Sequence, residues 1–362
     1  MSQGKITNFF PGGNTVNGFH SFYEYLTYNC QKVYIIKGGP GTGKSTTMKK
    51  IGKKAINSGY DIEYHWCSSD NDSIDGVVIT DKNTAILDGT APHTMDPKYP
   101  GVIEDIINVG RCWNNQQLNK NKKQIINLFQ KISEKFEQTY RYLSVAQKFQ
   151  NEWEKIYLKH FNHNLVNKIT DNIIKEILPE VTNITISGQE RRLFGSAITP
   201  GGLVDFINEL THDISKRYIL NGKPEIKKSK ILEKIGNTAL KYGFNVLYLH
   251  CSFNPKHIDG VIIKELDTAI INETKPHLIN SCKEDKFINI LKGVDSNIIN
   301  QNASQIKEIK KDFNHYLNKA VNSLNRAKIL HDELEEFYIK AMNFSKLDQI
   351  KENLVENIFS TH

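Results

Sequence analysis

Nine consecutive residues near the N-terminus combine the types and the spacing that bind a chain of phosphates. They are Gly38, Gly39, Pro40, Gly41, Thr42, Gly43, Lys44, Ser45 and Thr46, in the pattern G-x-x-x-x-G-K-S of the P-loop or Walker A motif. Glycines let the main chain turn tightly and bring its N–H groups against phosphate oxygens. The segment therefore predicts the binding of a nucleotide, ATP or else GTP, through its phosphates.

Two residues of this motif are expected to act on the ligand directly. Lys44 is placed to reach the β- and γ-phosphates, and the Ser45 hydroxyl is placed to coordinate Mg²⁺. The flanking residues fit these roles, because segment 33–36 suits a buried strand and segment 44–57, which Gly59 closes, suits a helix. The positive end of that helix would point at the same anion.

A P-loop also needs a carboxylate at the end of a neighbouring strand to hold Mg²⁺. Segment 84–88 is a short apolar run that ends in Asp88, so Asp88 is the expected Walker B residue and, with Ser45, the expected metal site. Asp70 and Asp72 follow a predicted strand at 62–66 and are further catalytic candidates, which would orient the attacking water or a water on Mg²⁺. The alternatives are a turn for Asp88 and a solvated loop for the other two.

The chain repeats itself at an offset of about 184 residues. Roughly 25 of about 61 positions between 33 and 93 are identical to their counterparts without a gap. Residues that both copies keep, such as Asp75, are expected to form turns or to pack. Residues found only in the first copy are expected to be catalytic, and Asp88, whose counterpart is Asn272, is one of them.

The second copy of the loop differs where phosphate would bind. Glu225 and Lys227 stand where the first copy has glycine, although Lys228 and Ser229 remain. A glutamate repels phosphate, and lysine is not expected to take the glycine conformation of the loop easily. We therefore expect the second copy to be a scaffold that has lost nucleotide binding, so that each chain binds one nucleotide.

Each predicted core is followed by a long helical arm, at about 111–178 and about 297–359. Apolar residues recur there every three or four positions, and neither arm contains glycine or proline. Segments 162–164 and 343–345 are predicted bends, so each arm is expected to be a helical hairpin. Packing within the chain, of arm on arm or arm on core, is the favoured interpretation, and a protein partner or a dimer is the alternative.

Composition favours a soluble globular protein. The 362 residues suggest two domains or one large one, and no apolar run has the length of a transmembrane helix or the form of a signal peptide. The five cysteines form no C-x-x-C pair, which favours free thiols, a cytoplasmic location and no zinc site. Most of the net charge of +7 comes from lysines spread along helices, so nucleic-acid binding is not expected.

These features together predict an α/β protein with two duplicated P-loop NTPase-like cores, each with a helical arm. The expected boundaries are a first repeat at 1–184 with its core at about 1–110, and a degenerate second repeat at 185–362 with its core at about 190–293. Short strands are predicted at 182–186 and 192–197, and the second of them corresponds to 8–10 in the first copy. The sequence leaves open which core these strands complete.

Several segments resemble one uncharacterised protein family. They are GGNT at 12–15, GGPGTGKST at 38–46, CSSDNDSIDGVVI at 67–79, ILDGTAPH at 86–93, DPKYPG at 96–101 and SAITPGG at 196–202. The family consists of two-copy P-loop proteins of low-GC Gram-positive bacteria, which are described as predicted ATPases. The resemblance implies nucleotide binding at 38–46 and gives no substrate. The departure from the motif at 225–227 argues against a second site.

The leading hypothesis is a Mg²⁺-dependent ATPase or a nucleotide-dependent switch, whose arms transmit the nucleotide state to a partner. A small-molecule or nucleotide kinase is the first alternative. Kinases usually direct several arginines at the transferred phosphate, and here only Arg111, Arg191 and Arg192 lie near expected core elements. A scaffold that binds nucleotide without catalysis is the second alternative, and nucleic-acid remodelling rests on net charge alone.

Overall fold

The computed structural model describes residues 3–92, 94–159, 161–179, 186–222, 227–273, 279–280 and 282–360. These residues form a mixed α/β structure with two six-stranded sheets and two smaller two-stranded sheets. The expected α/β class is therefore confirmed. Within these ranges, none of the helices combines the length and the apolar character that a membrane span requires.

The first half of the chain contributes one six-stranded sheet and the first arm. Its described strands are β1 (Ile6–Phe9), β2 (Gly12–Thr15), β3 (Gly18–Ser21), β4 (Lys32–Lys37), β5 (Ile62–Trp66), β6 (Ile74–Ile79), β7 (Thr84–Asp88) and β8 (Glu104–Asn108). Its described helices are α1 (Lys44–Asn57), α2 (Asn115–Lys120), α3 (Lys122–Leu158) and α4 (His163–Ile177). The helix predicted at 44–57 and the strands predicted at 62–66 and 84–88 have the expected bounds.

The second half contributes the other six-stranded sheet and the second arm. Its described strands are β9 (Glu190–Phe194), β10 (Ser196–Thr199), β11 (Gly202–Asp205), β12 (Lys216–Asn221), β13 (Val246–His250), β14 (Ile258–Ile263), β15 (Thr268–Glu273) and β16 (Lys286–Asn289). Its described helices are α5 (Ile207–Thr211), α6 (Lys228–Lys241), α7 (Ser296–Gln301), α8 (Ala303–Ala341) and α9 (Phe344–Phe359).

Both six-stranded sheets have the same order of strands. The first runs β1-β5-β6-β7-β4-β8, and the second, read from its opposite edge, runs β9-β13-β14-β15-β12-β16. In each sheet the third strand is antiparallel to its two neighbours and all other pairs are parallel. Because β4 is parallel to β7 and to β8, the carboxyl ends of these three strands meet at one edge of the first sheet.

Helix α1 packs an apolar face on the first sheet. Met48, Ile51 and Ala55 recur at helical spacing, are at most 1 % exposed, and belong to one cluster with buried side chains of β4 and β6. A fully buried side chain of the size of Met48 or Ile51 contributes about 1.5–3 kcal/mol. This burial fixes α1 with its first turn, and hence Lys44, at the carboxyl edge of the sheet.

The two long arm helices, α3 and α8, pack against each other along their length. They are antiparallel. Ile132 of α3 clusters with Leu330 of α8, whereas farther along α3 the ring of Phe149 stacks on Tyr316, an earlier residue of α8, with centroids 5.8 Å apart. The expected packing of arm on arm is therefore confirmed.

Each arm then covers the core of the opposite half. The second arm bends at Asn343, which caps α9, and α9 packs Leu347 and Leu354 onto the apolar face of α1. The first arm bends at Asn162, which caps α4, and α4 packs Ile173 onto the cluster that includes α6. The predicted bends and the packing of arm on core are confirmed. The expected hairpins are corrected: after the bend, α4 and α9 pack on α6 and α1 and do not run back along α3 and α8. The exchange of the arms was not predicted, because an apolar stripe does not specify the surface that covers it.

The halves also meet through their edge strands. Phe10 and Phe194 exchange two main-chain hydrogen bonds of 3.0 Å, and Arg191 of β9 donates to both carboxylate oxygens of Glu63 in β5, at 2.7 and 2.6 Å. Nevertheless β1 pairs with β5, and β9 pairs with β13. Each edge strand therefore completes the sheet of its own half, which answers the question left open by the sequence.

The predicted strands between the halves need correction. The strand expected at 192–197 is divided into β9 and β10 at Gly195, because β10 leaves the main sheet and pairs with β11. Residues 182–185 of the other predicted strand lie outside the described ranges, and Ile186 is not part of a strand.

Candidate functional site

The motif at 38–46 connects β4 to α1 at the carboxyl edge of the first sheet. Gly41 and Gly43 have φ angles of 64° and 80°, a left-handed conformation that glycine adopts readily and other residues rarely do. Gly43 is also the N-cap of α1, so its conformation directs the chain from the loop into the helix. Gly41 and Gly43 are thus well suited to the local geometry of the loop.

The Lys44 side chain folds back over this loop. Its Nζ donates to the main-chain oxygens of Gly38 at 3.0 Å and of Gly39 at 2.6 Å. The same nitrogen lies 3.4 Å from Oδ2 of Asp88, and the two side chains are only 11 % and 16 % exposed. Two candidate residues that are distant in the sequence are thereby brought into contact.

Asp88 and Ser45 supply oxygen atoms next to Lys44. Asp88 ends β7, and its Oδ1 accepts a hydrogen bond of 2.8 Å from the main-chain N–H of Thr90. The Ser45 hydroxyl accepts one of 3.0 Å from the main-chain N–H of Ile74, which fixes the first turn of α1 against β6. A serine hydroxyl and an aspartate carboxylate are suitable ligands for Mg²⁺.

The remaining side chains of the motif are less directly placed. Thr42 is 1 % exposed, and its hydroxyl donates to the main-chain oxygen of Gly39 at 2.8 Å. Pro40 is half-buried, and Thr46 is exposed on α1. Thr42 therefore stabilises the loop, and the contribution of this segment to a ligand would come mainly from its main-chain N–H groups.

Asp75 was not among the sequence-based candidates for the site, since both copies keep it and a turn or packing role was expected. It is 5 % exposed within β6, and the antiparallel register of β6 and β7 places it beside Asp88. In the second half the corresponding Asp259 accepts a hydrogen bond of 3.0 Å from the side chain of Asn272. The first half therefore has two adjacent carboxylates where the second has a carboxylate and an amide.

Neighbouring buried groups respond to the charge of Asp75. Burial raises the pKa of Tyr23, and Asp75, Cys67 and Asp88 raise it further. Burial also raises the pKa of the Cys67 thiol, and Asp75 again adds to the effect. Negative potential is thus concentrated where β6 and β7 meet, and it favours a cation, either the Lys44 ammonium or Mg²⁺.

Asp70 and Asp72 make other contacts. Oδ2 of Asp70 accepts a hydrogen bond of 2.8 Å from the Ser73 hydroxyl, and Oδ1 lies 3.6 Å from Nζ of Lys328 in α8. Asp72 is exposed, and its main-chain oxygen accepts a hydrogen bond from Lys49. Asp70 therefore links this loop to the second arm, and a role of either residue in positioning water stays a prediction.

The second arm lies directly on the glycine-rich loop. Oε1 of Glu335 in α8 accepts a hydrogen bond of 3.0 Å from the main-chain N–H of Gly41. Tyr338 packs so closely that a Cβ atom at Gly39 would lie 2.6 Å from its ring. These residues were also absent from the sequence-based candidates. The match of the two arms at an offset of about 181 could have drawn attention to them, because it pairs Glu335 with Glu154.

The second loop keeps part of the same hydrogen bonding. Nζ of Lys228 donates to the main-chain oxygen of Gly222 at 2.5 Å, as Lys44 does in the first loop. The Ser229 hydroxyl accepts a hydrogen bond of 2.9 Å from the main-chain N–H of Ile258. Lys228 and Ser229 therefore have local structural roles that need no nucleotide.

One expectation about this second loop was wrong. Lys227, which replaces a glycine, takes a left-handed conformation with φ of 57° and caps α6, although lysine was not expected to do so easily. The strain of about 1–2 kcal/mol for such a residue is tolerated because α6 is anchored by its buried apolar face. Residues 223–226, which include Glu225, lie outside the described part of the chain.

Comparison with known proteins gives no match: no family model fits the chain, and neither a curated protein nor a solved structure is detectably similar to it. The resemblance of its segments to a P-loop family stays a prediction. Any function assigned to the chain therefore rests on its own residues and their geometry.

Proposed function

We propose that the protein binds ATP with Mg²⁺ at residues 38–46 and acts as an ATPase or a nucleotide-dependent switch with one working site, in the first half. The observation that carries this proposal is the contact of Lys44 with Asp88 at a glycine-rich loop between a strand and a helix. In P-loop proteins the lysine offsets phosphate charge, and the carboxylate holds the metal ion.

Each residue of the site has a role in this proposal. The main-chain N–H groups of the loop and the N-terminus of α1 would bind the phosphates, and Lys44 would exchange its loop carbonyls for phosphate oxygens. Ser45 and Asp88 would hold Mg²⁺, which neutralises and orients the phosphates when it is bound. Asp75, Asp70 and Asp72 are the candidates to orient the attacking water.

The matching order of strands in the two sheets supports the proposed duplication. If the halves are copies, the second is the one in which Asn272 replaces the metal carboxylate and Lys227 replaces a loop glycine. We therefore assign a supporting role to the second half. The arms, which join each half to the other, are suited to transmit a change at the working site.

The arginines favour hydrolysis or switching over transfer of phosphate to a second substrate. Arg191 is paired with Glu63, and Arg192 donates to the carboxylate of Glu190 at 3.2 and 2.8 Å. Arg111 is exposed on the turn after β8. A kinase would need several such cations at the transferred phosphate, so we rank it below an ATPase or a switch.

The test is titration of the wild-type protein and Lys44→Ala with a non-hydrolysable ATP analogue and Mg²⁺ in a calorimeter, together with phosphate release from ATP and GTP. Loss of the Lys44 ammonium should weaken binding about tenfold to a hundredfold, the effect of one charged hydrogen bond. Lys53→Ala removes an exposed lysine from the same helix and should change neither the nucleotide affinity nor the rate of phosphate release. Equal affinity of the wild-type protein and Lys44→Ala would refute the site.

A further inference from the structure

A carboxylate occupies an anion position in the glycine-rich loop. The main-chain N–H of Gly41, in the middle of the loop, donates to Oε1 of Glu335 at 3.0 Å. Glu335 belongs to α8, the long helix of the second half, and its side chain is 29 % exposed. The groups that would bind a phosphate include this N–H, so Glu335 already satisfies one of them.

The contact involves the body of α8 as well as one side chain. A Cβ atom at Gly41 would lie 3.0 Å from both Cβ and the main-chain oxygen of Glu335, and one at Gly39 would lie 2.6 Å from the Tyr338 ring. These distances show that α8 packs directly against the loop at both glycines. Together with the hydrogen bond from Gly41, they place α8 over the side of the loop where an anion is already bound.

We propose that Glu335 and the surrounding turns of α8 hold the nucleotide site closed, and that phosphate binding requires this end of the second arm to move away. The proposal rests on the proposed nucleotide site. A phosphate must replace the Glu335 carboxylate at Gly41, because two anions would repel each other strongly at this distance. Movement of α8 would reach the first half through α3, with which α8 packs along its length.

The surroundings of Glu335 favour this closed arrangement in the described structure. His331, one turn earlier in α8, has its Nδ1 3.6 Å from Oε1 of Glu335, and Lys328, a further turn away, is paired with Asp70 at 3.6 Å. Asp70 belongs to the loop after β5, at the same edge of the sheet. The contacts of Glu335 with Gly41 and of Lys328 with Asp70 thus join α8 to both loops of the site.

The first arm provides a matched position in the other half. Glu154 of α3 corresponds to Glu335 at the arm offset of about 181. The side chain of Glu154 accepts a hydrogen bond of 3.1 Å from Gln150 of the same helix. Burial raises the pKa of Glu154, although Gln150, Lys227 and Lys228 lower it. Glu154 is thus the matched position in the other arm, and only the Glu335 position adjoins the proposed nucleotide site.

The decisive experiment measures the affinity of the full-length protein for a non-hydrolysable ATP analogue with Mg²⁺, in wild type, Glu335→Ala, Glu335→Gln and Glu154→Ala. Removal of the Glu335 carboxylate should tighten binding about tenfold, because a charged hydrogen bond no longer has to be broken. Glu335→Gln keeps the side-chain length and should give an intermediate gain. The affinity of Glu154→Ala should stay within about twofold of wild type.

The outcomes separate this proposal from the one on which it rests. If wild type and both Glu335 variants bind equally well, the site exists and Glu335 does not close it. An equal gain in Glu154→Ala would show a general loosening of the arms and would also overturn the proposal. If neither wild type nor any variant binds, the nucleotide site is refuted and the closure with it.

Hydrogen exchange provides a second test that does not depend on a substitution. Saturating nucleotide should increase the exchange of main-chain amides at 331–341 in the wild-type protein, because this end of α8 leaves the loop. The amides at 312–322, in the middle of the same helix, serve as the internal reference. Unchanged protection at 331–341 with nucleotide bound would show that α8 does not need to move.

Discussion

Asp88→Asn should make the first half resemble the second, and we expect it to stabilise the fold while it removes turnover. In the second half, Asn272 donates to Asp259 at 3.0 Å, and both side chains are at most 2 % exposed. In the first half, Asp88 lies beside Asp75, which is 5 % exposed. An asparagine at position 88 can donate to Asp75 in the same way.

The expected gain in stability is small because two effects oppose each other. Two carboxylates about 4 Å apart repel by about 4 kcal/mol at an effective dielectric constant of about 20. Lys44, 3.4 Å from Asp88, offsets much of this repulsion, and its ion pair with Asp88 is lost in the variant. The new amide-to-carboxylate hydrogen bond then contributes about 1.5 kcal/mol. We expect the free energy of unfolding without nucleotide to rise by about 1 kcal/mol.

The same substitution removes a charged oxygen from the proposed metal site. If that charge stabilises the transition state by about 3 kcal/mol, turnover should fall about a hundredfold. Nucleotide binding should be largely kept, because Lys44 and the loop N–H groups are unchanged. Urea denaturation followed by tryptophan fluorescence gives the stability, and phosphate release from ATP with Mg²⁺ gives the turnover.

Asn272→Asp is the matched control, since it places two carboxylates together in the second half. It should lower the free energy of unfolding by about 2 kcal/mol and leave turnover unchanged. The reasoning is refuted if Asp88→Asn destabilises the protein by more than about 1 kcal/mol, or if it keeps wild-type turnover. If turnover is kept in Asp88→Asn but lost in Asp70→Asn or Asp72→Asn, the metal carboxylate belongs to the loop after β5.

Two further predictions test the second half and the contact between the halves. Titration with a non-hydrolysable ATP analogue should give one nucleotide per chain in both the wild-type protein and Lys228→Ala. A wild-type stoichiometry near two that falls to one in Lys228→Ala would contradict this prediction. Glu63→Gln should lower the free energy of unfolding by about 3 kcal/mol at pH 7, because it leaves the largely buried Arg191 guanidinium without its carboxylate. Burial raises the pKa of Glu63, but Arg191 and His65 lower it well below its ordinary value. The stabilisation by the Glu63 carboxylate is therefore fully present above about pH 4 and is lost as the pH falls further. An equal effect of Glu63→Gln at about pH 7 and well below about pH 4 would contradict this prediction.

The local parts of the structure were predictable from the sequence. The bounds of α1, β5 and β7 follow from apolar periodicity and from glycines, signals that lie within a few residues of each element. Lys44 and Asp88 were both expected to belong to the site, but their direct contact was not predicted. The bends at Asn162 and Asn343 were also expected, and in both the asparagine side chain caps the next helix.

The long-range parts were not predictable in the same way. The apolar stripes of the arms indicated burial, but a stripe is equally well covered by either core, so the exchange of the arms and the contact of Glu335 with Gly41 were missed. Asp75 was assigned to a turn or to packing because the same residue recurs at position 259 of the sequence. Its importance depends on the residue across the strand pair, which is Asp88 in one half and Asn272 in the other.

The hydrogen bonds shared by the two loops change how strongly each residue of the motif supports a nucleotide site. Lys228 and Ser229 bond to a loop carbonyl and to an adjacent strand in the half that has Asn272 in place of the proposed metal carboxylate. Lys44 and Ser45 make the same contacts in the first half. Local structure is therefore a sufficient reason to keep this lysine and serine. Asp88 differs, because it places a second carboxylate beside Asp75 where the second half has Asn272. Lys44 offsets much of this charge. In the proposed nucleotide complex Lys44 would turn to the phosphates and Mg²⁺ would take its place beside the carboxylates, so Asp88 supports a metal-nucleotide site more specifically than the lysine of the motif does.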